Sequence, residues 1–303
     1  MSDAYRRTLA QTAIRAMPWV FVLIWSTGFV VARFGMPHSP PFTFLSARYA
    51  LSLICFGVWI VLARVEWPRI GAQWGHLAFV GMLIHAGYLG GVWAAVKTGI
   101  GAGTVALIVG LQPVLTALWT SLVATRADGH SARVTLVQWL GLALGLLGLT
   151  LVVWHKLGGG EVTPHNLALA VFALLSITAG TLYQKRFVAP CDVRSASAIQ
   201  LFAALAVSLP LALMETEPVM WHVQLIGAMA WSVLALTLGG SSLLYLMIQR
   251  GAATKVTSLM YLVPPCTAAL AWLLFGEAFT WSMVFGMSLT VAGVALVVRA
   301  PTR

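Results

Sequence analysis

Ten apolar runs, each close to the length of a bilayer crossing, account for most of this chain. They lie near residues 17–36, 42–63, 75–97, 102–124, 134–154, 166–187, 196–214, 225–249, 254–275 and 280–299. A helix of about 20 apolar residues crosses the hydrocarbon core of a membrane. Within 303 residues, ten such helices leave room for short connections and for no appended soluble domain. Charge makes the same point. Only 9% of the residues are charged and the mean hydropathy is +0.90, whereas a soluble domain carries about 25% charge. A soluble globule is therefore excluded. The connections hold turn formers: Pro37, Pro40 and Pro41; Gly99, Gly101 and Gly103; Gly158 to Gly160; Pro190; Pro218. The least polar boundary is "KTGIGAGT", between the third and fourth runs. There a single long re-entrant segment competes with two separate spans. The opening "MSDAYRRTLAQTAIRA" looks like the charged start of a signal peptide. No A-x-A-like cleavage site follows it, so it reads as part of a retained helix.

Charge bias sets an orientation. With the N-terminus in the cytoplasm, the cytoplasmic segments hold 14 of the 18 basic residues. The opposite side holds Arg33, Lys97 and Lys156, and Arg48 lies inside a span. Nine or eleven spans break this alternation, so ten spans with both termini cytoplasmic are expected. The net charge of +10 is then a topogenic signal, and no nucleic-acid partner is called for. Cys55, Cys191 and Cys266 are scattered, which suggests neither a disulfide framework nor a zinc site.

Three blocks of the first half return in the second. "STGFVVARF" (26–34) aligns with "TAGTLYQKR" (178–186) at an offset of 152, which also sets Arg48 on Gln200. "LQPVLTAL" (111–118) aligns with "LVPPCTAA" (262–269), with Pro113 on Pro264 and Thr116 on Thr267. "TLVQWLGLALGLLGLTLVV" (135–153) aligns with "TWSMVFGMSLTVAGVALVV" (280–298), with Gly141 on Gly286 and Gly148 on Gly293. Chance coincidence of Gly, Leu and Val is the competing account, and the matched prolines and polar positions speak against it. A five-span unit crosses the membrane an odd number of times, so its second copy enters from the other side. The expected fold is an all-α integral membrane protein of ten transmembrane helices in two inverted five-helix repeats, 1–156 and 157–303. Such inverted repeats build alternating-access transporters, with a substrate site near the midplane between them.

These blocks resemble the EamA family of the drug/metabolite transporter superfamily. The resemblance is carried by "WSTGFVVARFG", "PFTFLSARYALSL", "GTVALIVGLQPVLTALW", "LVPPCTAALAWLLFGEAFT", "GLALGLLGLTLVV" and "GMSLTVAGVALVV". Their order, spacing and duplication span nearly the whole chain. The resemblance implies a ten-helix basket and a permease for small metabolites, often an exporter of amino acids or related compounds. Members commonly carry Gly-Glu at the end of the fourth helix of a repeat. The second half has Gly276-Glu277, but the first reads "LVATRADGHS", so the role of Glu277 is left open.

Polar groups inside a membrane are costly and usually face an interior or a wet cavity. Arg48 is the one basic residue well inside a span. It reads either as an anchor for an anionic group or as a donor to loop carbonyls that snorkels outward. His85 and Tyr88 share a face of the third span, while Trp93 lies about 140° around from Tyr88. In the fourth span Ile108, Gln112, Leu115 and Trp119 form a stripe beside Pro113, a kink former. The sixth span offers Ser176, Gly180 and Tyr183. The eighth offers Ser241, Tyr245 and Gln249, and the ninth offers Tyr261 ahead of the kink candidates Pro264 and Pro265. Trp25 shares a face with Gly28 and Ala32. Trp19, Trp59, Trp139, Trp154 and Trp281 read as an interfacial belt. Gly141, Gly145, Gly148, Gly286 and Gly293 allow close packing, within a monomer or across a homodimer.

The expected site is an aromatic-lined cavity made by Trp25, Arg48, His85, Tyr88, Gln112, Trp119, Tyr183, Tyr245 and Tyr261. It suits a neutral or zwitterionic small molecule with an apolar side chain. The function expected is export of amino acids or related amphipathic compounds across a bacterial inner membrane. A small multidrug or cation exporter is the alternative. No cofactor or metal is called for. No P-loop of the form GxxxxGK[ST] is present, which excludes direct use of ATP. All acidic residues sit at loops or span ends, so a facilitator or metabolite exchanger is expected in preference to a proton-driven pump. A membrane-embedded enzyme is the rival of another class. The spans hold no Asp and no HExxH, which weighs against it.

Overall fold

The structure, a computed structural model, describes residues 3–127, 136–158, 160–240, 242–243, 262–277 and 280–299. These residues form helices and turns, with no strand among them. The first half comprises α1 (Asp3–Gly35), α2 (Pro41–Leu62), α3 (Gly71–Gly81), a π-helical segment (Met82–Leu89), α4 (Gly90–Lys97), α5 (Ala102–Val109), α6 (Gln112–Ala127) and α7 (Leu136–Gly158). The second comprises α8 (Pro164–Phe187), α9 (Val193–Met214), α10 (Val223–Trp231), a second π-helical segment (Ser232–Gly239), α11 (Val263–Phe275) and α12 (Trp281–Arg299). The two π segments are related by an offset of 150 residues. Helices α2 and α9 are each 22 residues long and are related by an offset of 152.

Six stretches are long and apolar enough to cross a membrane: Ala16–Gly35, Pro41–Leu62, Gly71–Lys97, Ala102–Trp119, Pro164–Phe187 and Val193–Met214. Four shorter apolar helices, Trp139–Trp154, Val223–Gly239, Val263–Phe275 and Trp281–Leu296, fall in the remaining apolar runs. The chain is an all-helical integral membrane protein. Two helices, and no single re-entrant segment, flank residues 98–101. The α4 helix ends at Lys97, Gly99 takes a φ of 103°, and Gly101 caps α5. A positive φ of this kind is strained for any residue with a Cβ.

Local chemistry sets the helix starts. Thr163 and Asn166 form a reciprocal capping box ahead of α8, with Pro164 in its first turn. Asp192 caps α9 by accepting from the Arg194 amide at 2.8 Å. Glu215 reaches across from the end of α9 to the start of α2. It accepts from the Phe42 amide at 2.9 Å, the Thr43 amide at 2.7 Å and the Thr43 hydroxyl at 2.7 Å. A carboxylate is favoured there by the positive end of the helix dipole. The same logic answers the question of Glu277. It accepts from the Ala102 amide at 3.0 Å, while Glu161 accepts from Gly101 at 2.9 Å and is paired with Lys156 at 2.8 Å. Two carboxylates from beyond the first half therefore cap α5.

Helices pack mainly across the two halves: α2 on α9, α7 on α12, α5 on α11, α1 on α10 and α11, and α8 on α3, α4, α5 and α6. The α7–α12 seam is the tightest. A Cβ on Gly148 or Gly293 would run into the Gly286 or Gly141 carbonyl respectively, and one on Gly286 would lie 2.6 Å from the Gly148 carbonyl. Thr290 also touches the Gly145 carbonyl at 3.4 Å. As the residue number rises along α7 it falls along α12, so the two helices run antiparallel. The glycines of these runs thus serve close packing within the chain.

The fourth span is interrupted. Helix α5 stops at Val109, and α6 restarts at Gln112 with Pro113 in its first turn. Proline brings no N–H to the Val109 carbonyl one turn back. Gly110 at the break admits Pro264, whose Cγ would be 2.8 Å from a Cβ there. Pro264 and Pro265 lie in the first turn of α11. Pro264 of the ninth run therefore packs against the break in the fourth.

Candidate functional site

Arg48 is 8% exposed on the inner face of α2. It neither snorkels nor meets a loop carbonyl. Its Nε and Nη2 donate to the Thr237 hydroxyl at 3.3 and 3.1 Å. Thr237 lies in the second π segment, and its hydroxyl in turn donates to the Ser232 carbonyl at 2.8 Å. No carboxylate of a described residue is in ion-pair range of Arg48. A buried guanidinium carries five donors, and here two of them converge on one neutral oxygen.

His85 and Tyr88 stand on the first π segment, within reach of the Arg48 charge. Tyr49, the neighbour of Arg48, donates its hydroxyl to the His85 carbonyl at 2.7 Å and sets its ring edge-on to the imidazole. This pins the π segment to α2. Gln200 of α9 lies near the His85 side chain. It can come this close because Gly81, one turn before His85, lies directly on the Gln200 backbone. The Tyr88 side chain is buried, and its hydroxyl has no hydrogen-bond partner among the described residues. Arg48, His85 and Tyr88 thus come together, joined by Tyr49, Gln200 and Thr237.

Arg48 meets Thr237 and Gln200 lies near His85. The second apolar helices are related by 152, which carries Arg48 onto Gln200, and the π segments by 150, which carries His85 onto Ala235, two residues from Thr237. The two contacts are alike in kind without being equivalent position for position. In each, a polar residue of a half's second apolar helix approaches the π segment of the other half's third.

The other expected residues lie elsewhere. Trp25 is half-buried beside Phe21 and near Gly240. Gln112 donates to the Thr181 hydroxyl at 3.2 Å, tying α6 to α8. Tyr183 joins an aromatic group with Phe79 and Phe187, and its hydroxyl pairs with the His76 ring at 2.9 Å. Trp119 is 57% exposed and stands apart from all of these. Tyr245 and Tyr261 lie outside the described residues, as do Ser241 and Gln249. Trp93 stacks on Phe44 at 4.4 Å in the core. Of the belt tryptophans, Trp19, Trp139, Trp154 and Trp281 are exposed, and Trp59 carries the Arg194 guanidinium over its ring. Outside the spans, the side-chain hydrogen bond from Arg194 holds the Asp192 carboxyl below the usual aspartate range. The three cysteines are free, and no group of described residues is arranged to hold a metal.

A bundle of apolar helices around a buried polar joint defines a membrane transporter, and comparison with known proteins agrees. The description "EamA-like transporter family" matches twice, at residues 17–154 and 166–299. The chain belongs to this family, and so is a transporter and not an enzyme. A "Probable amino-acid metabolite efflux pump" of Salmonella typhimurium is 24% identical over 283 residues, covering 90% of each chain. The transporter YvbV of Bacillus subtilis is 25% identical, covering 96% of this chain and 93% of its own. The inner membrane transporter YedA of Escherichia coli is 25% identical, covering 91% and 87%. A crystal structure at 18% identity superposes with a TM-score of 0.63, covering 93% of this chain and 95% of the other. That likeness is one of fold.

Proposed function

We propose that this transporter exports amino acids or related amphipathic metabolites by alternating access. Ten crossings form two inverted repeats, 1–156 and 157–303, around a central aromatic-lined cavity. Both termini face the cytoplasm of a bacterial cell whose inner membrane holds the protein. The antiparallel α7–α12 seam and the approaches of Arg48 to Thr237 and of Gln200 to His85 support the inverted arrangement.

The observation that carries the substrate reading is Arg48. A cation buried in the membrane interior, with a hydroxyl as its hydrogen-bond partner among the described residues, is held at a cost, and that cost falls when an anion comes to it. The free hydroxyl of Tyr88 and the half-buried His85 ring add hydrogen-bonding groups beside it. A carboxylate with an apolar body fits this set. A cationic drug meets the Arg48 charge head-on, which disfavours the multidrug alternative. With no ATP motif in the chain, metabolite gradients supply the driving force.

Proteoliposomes holding the purified protein test the reading with labelled amino acids, nucleosides and cationic drugs, with and without a pH gradient. Amino acids are expected to move faster than through empty liposomes. Transport of the cationic drugs alone, or of nothing in the panel, rejects it. A folded His85→Ala or Tyr88→Ala variant with normal transport removes that residue from the site.

A further inference from the structure

A second polar site lies at the end of the bundle that faces outward in the proposed orientation. There the linker between α9 and α10 crosses from the second half onto the first. Glu215 caps α2, and the Met220 amide donates to the His38 carbonyl at 2.8 Å. Between this linker and the start of α2 is a cavity of about 240 Å³, lined by Pro40, Pro41, Lys97, Glu215, Thr216 and Glu217 among others. Lys97 and Glu217 form an ion pair at 2.6 Å on its wall. Lys97 is anchored a second time, since its ammonium donates to the Met36 carbonyl at 3.1 Å. The two carboxylates are not equivalent. Glu215 has both oxygens engaged by Phe42 and Thr43. Glu217 has Lys97 as its polar partner among the described residues, and its side chain is 61% exposed. The cavity therefore offers one cation and one available anion side by side.

We propose that this cavity is a second binding site, for the zwitterionic end of an amino acid, in which Lys97 takes the carboxylate and Glu217 takes the ammonium group. It builds on the amino-acid reading of the transporter. Adjacent opposite charges suit a zwitterion, whereas a ligand with a single charge pairs with one residue and takes that residue's partner away from the other. A lysine ammonium has three donors, so Lys97 keeps the Met36 carbonyl while it turns to a carboxylate. A partly exposed ion pair is weak, and here two pairs replace one. The volume falls below the roughly 300–1,000 Å³ of a pocket for drug-sized ligands, which favours a molecule of amino-acid size. Pro40 and Pro41 stiffen the wall, because the proline ring fixes φ. A substrate that leaves the inner joint at Arg48 thus meets a second charge-matched station.

The test uses the purified full chain in detergent. Thr216→Cys puts a thiol at the cavity, and its rate of reaction with N-ethylmaleimide reports whether the cavity is filled. Wild type, with three free cysteines, gives the background rate. The probes are L-phenylalanine, hydrocinnamate, which keeps the carboxylate alone, and phenethylamine, which keeps the ammonium alone. L-phenylalanine is expected to slow the reaction saturably, by about threefold at twice its dissociation constant, and each analogue at the same concentration far less. Lys97→Met or Glu217→Gln, added to Thr216→Cys, is expected to abolish the protection, and the exchange Lys97→Glu/Glu217→Lys to restore it. Arg48→Gln is expected to keep the protection, which separates this cavity from the inner joint. Gel filtration checks every variant, and Tyr88→Phe takes the place of Arg48→Gln should that variant fail to fold.

Equal protection by L-phenylalanine and either analogue overturns the site. So does protection that survives in folded Lys97→Met and Glu217→Gln, or that disappears in the inner-joint variant. Transport of labelled L-phenylalanine by wild type in proteoliposomes is measured in parallel. Transport without protection rejects the second site and leaves the amino-acid reading standing. Protection without transport does the reverse, and absence of both removes the two together.

Discussion

Helices α2 and α9 are two copies of one element, equal in length and in register, yet they are held and used differently. The second copy caps itself: Asp192 binds the Arg194 amide within its own first turn. The first begins at Pro40 and Pro41 and takes its cap from Glu215, 173 residues away from Phe42. The second copy carries Gln200 and Leu201 where the first carries Arg48 and Tyr49. The second lies so close to the third run that Gly81 touches its backbone. Helix length and the packing face persisted, because both copies must fill the same slot in a membrane. The side chains at the inner face diverged, so that only the first copy carries a charge there.

The sharpest way to break this comparison is to remove a feature that one copy alone has. Gly81→Val tests the close approach that only the second copy makes. It drives a branched group into the Gln200 backbone, costs on the order of 3 kcal/mol, and is expected to leave little monodisperse protein on gel filtration. Glu215→Ala removes the borrowed cap and its three hydrogen bonds. A loss of about 2 kcal/mol in thermal unfolding is expected, larger than that of Asp192→Ala. Tyr49→Phe takes away only the hydroxyl on the His85 carbonyl. It is expected to cost about 1 kcal/mol and to lower transport by loosening the π segment that bears His85 and Tyr88.

Asp192→Ala is expected to cost a similar amount, about 1 kcal/mol, and it carries a pH signature. The folded-state pKa of Asp192 lies below its unfolded value. Its contribution is therefore present at neutral pH and is lost as the pH falls below the ordinary aspartate range, near 3.9. Wild type and the alanine variant should converge in melting temperature under acid. Trp119→Ala, on an exposed face, is expected to change transport least. A large loss there would return this residue to the cavity.

The helices were legible because lipid allows little else: an apolar run of bilayer length has to be a span. The duplicated glycines and prolines were legible because their backbone roles are tied to residue type. Within the joint, Arg48, His85 and Tyr88 stand out as polar groups in apolar runs. Their partners do not. Thr237 is an ordinary membrane residue, and Tyr49 acts through a backbone carbonyl that no sequence pattern marks. The π segments leave no periodic signal either. The exposure of Trp119 was not legible, because an aromatic stripe looks the same whether it faces a cavity or lipid. The role of Glu277 was hidden because it binds a main-chain amide in another helix.

That amide has a consequence for the order in which the molecule is made. Ala102 is synthesised 175 residues before the carboxylate that binds it, and Glu161 also follows the entire first repeat. A nascent chain holding only its first five runs has an open start to its fourth helix, with the positive end of the dipole bare. The last loop to leave the ribosome closes it, so the first half reaches its final form only when the second is nearly complete.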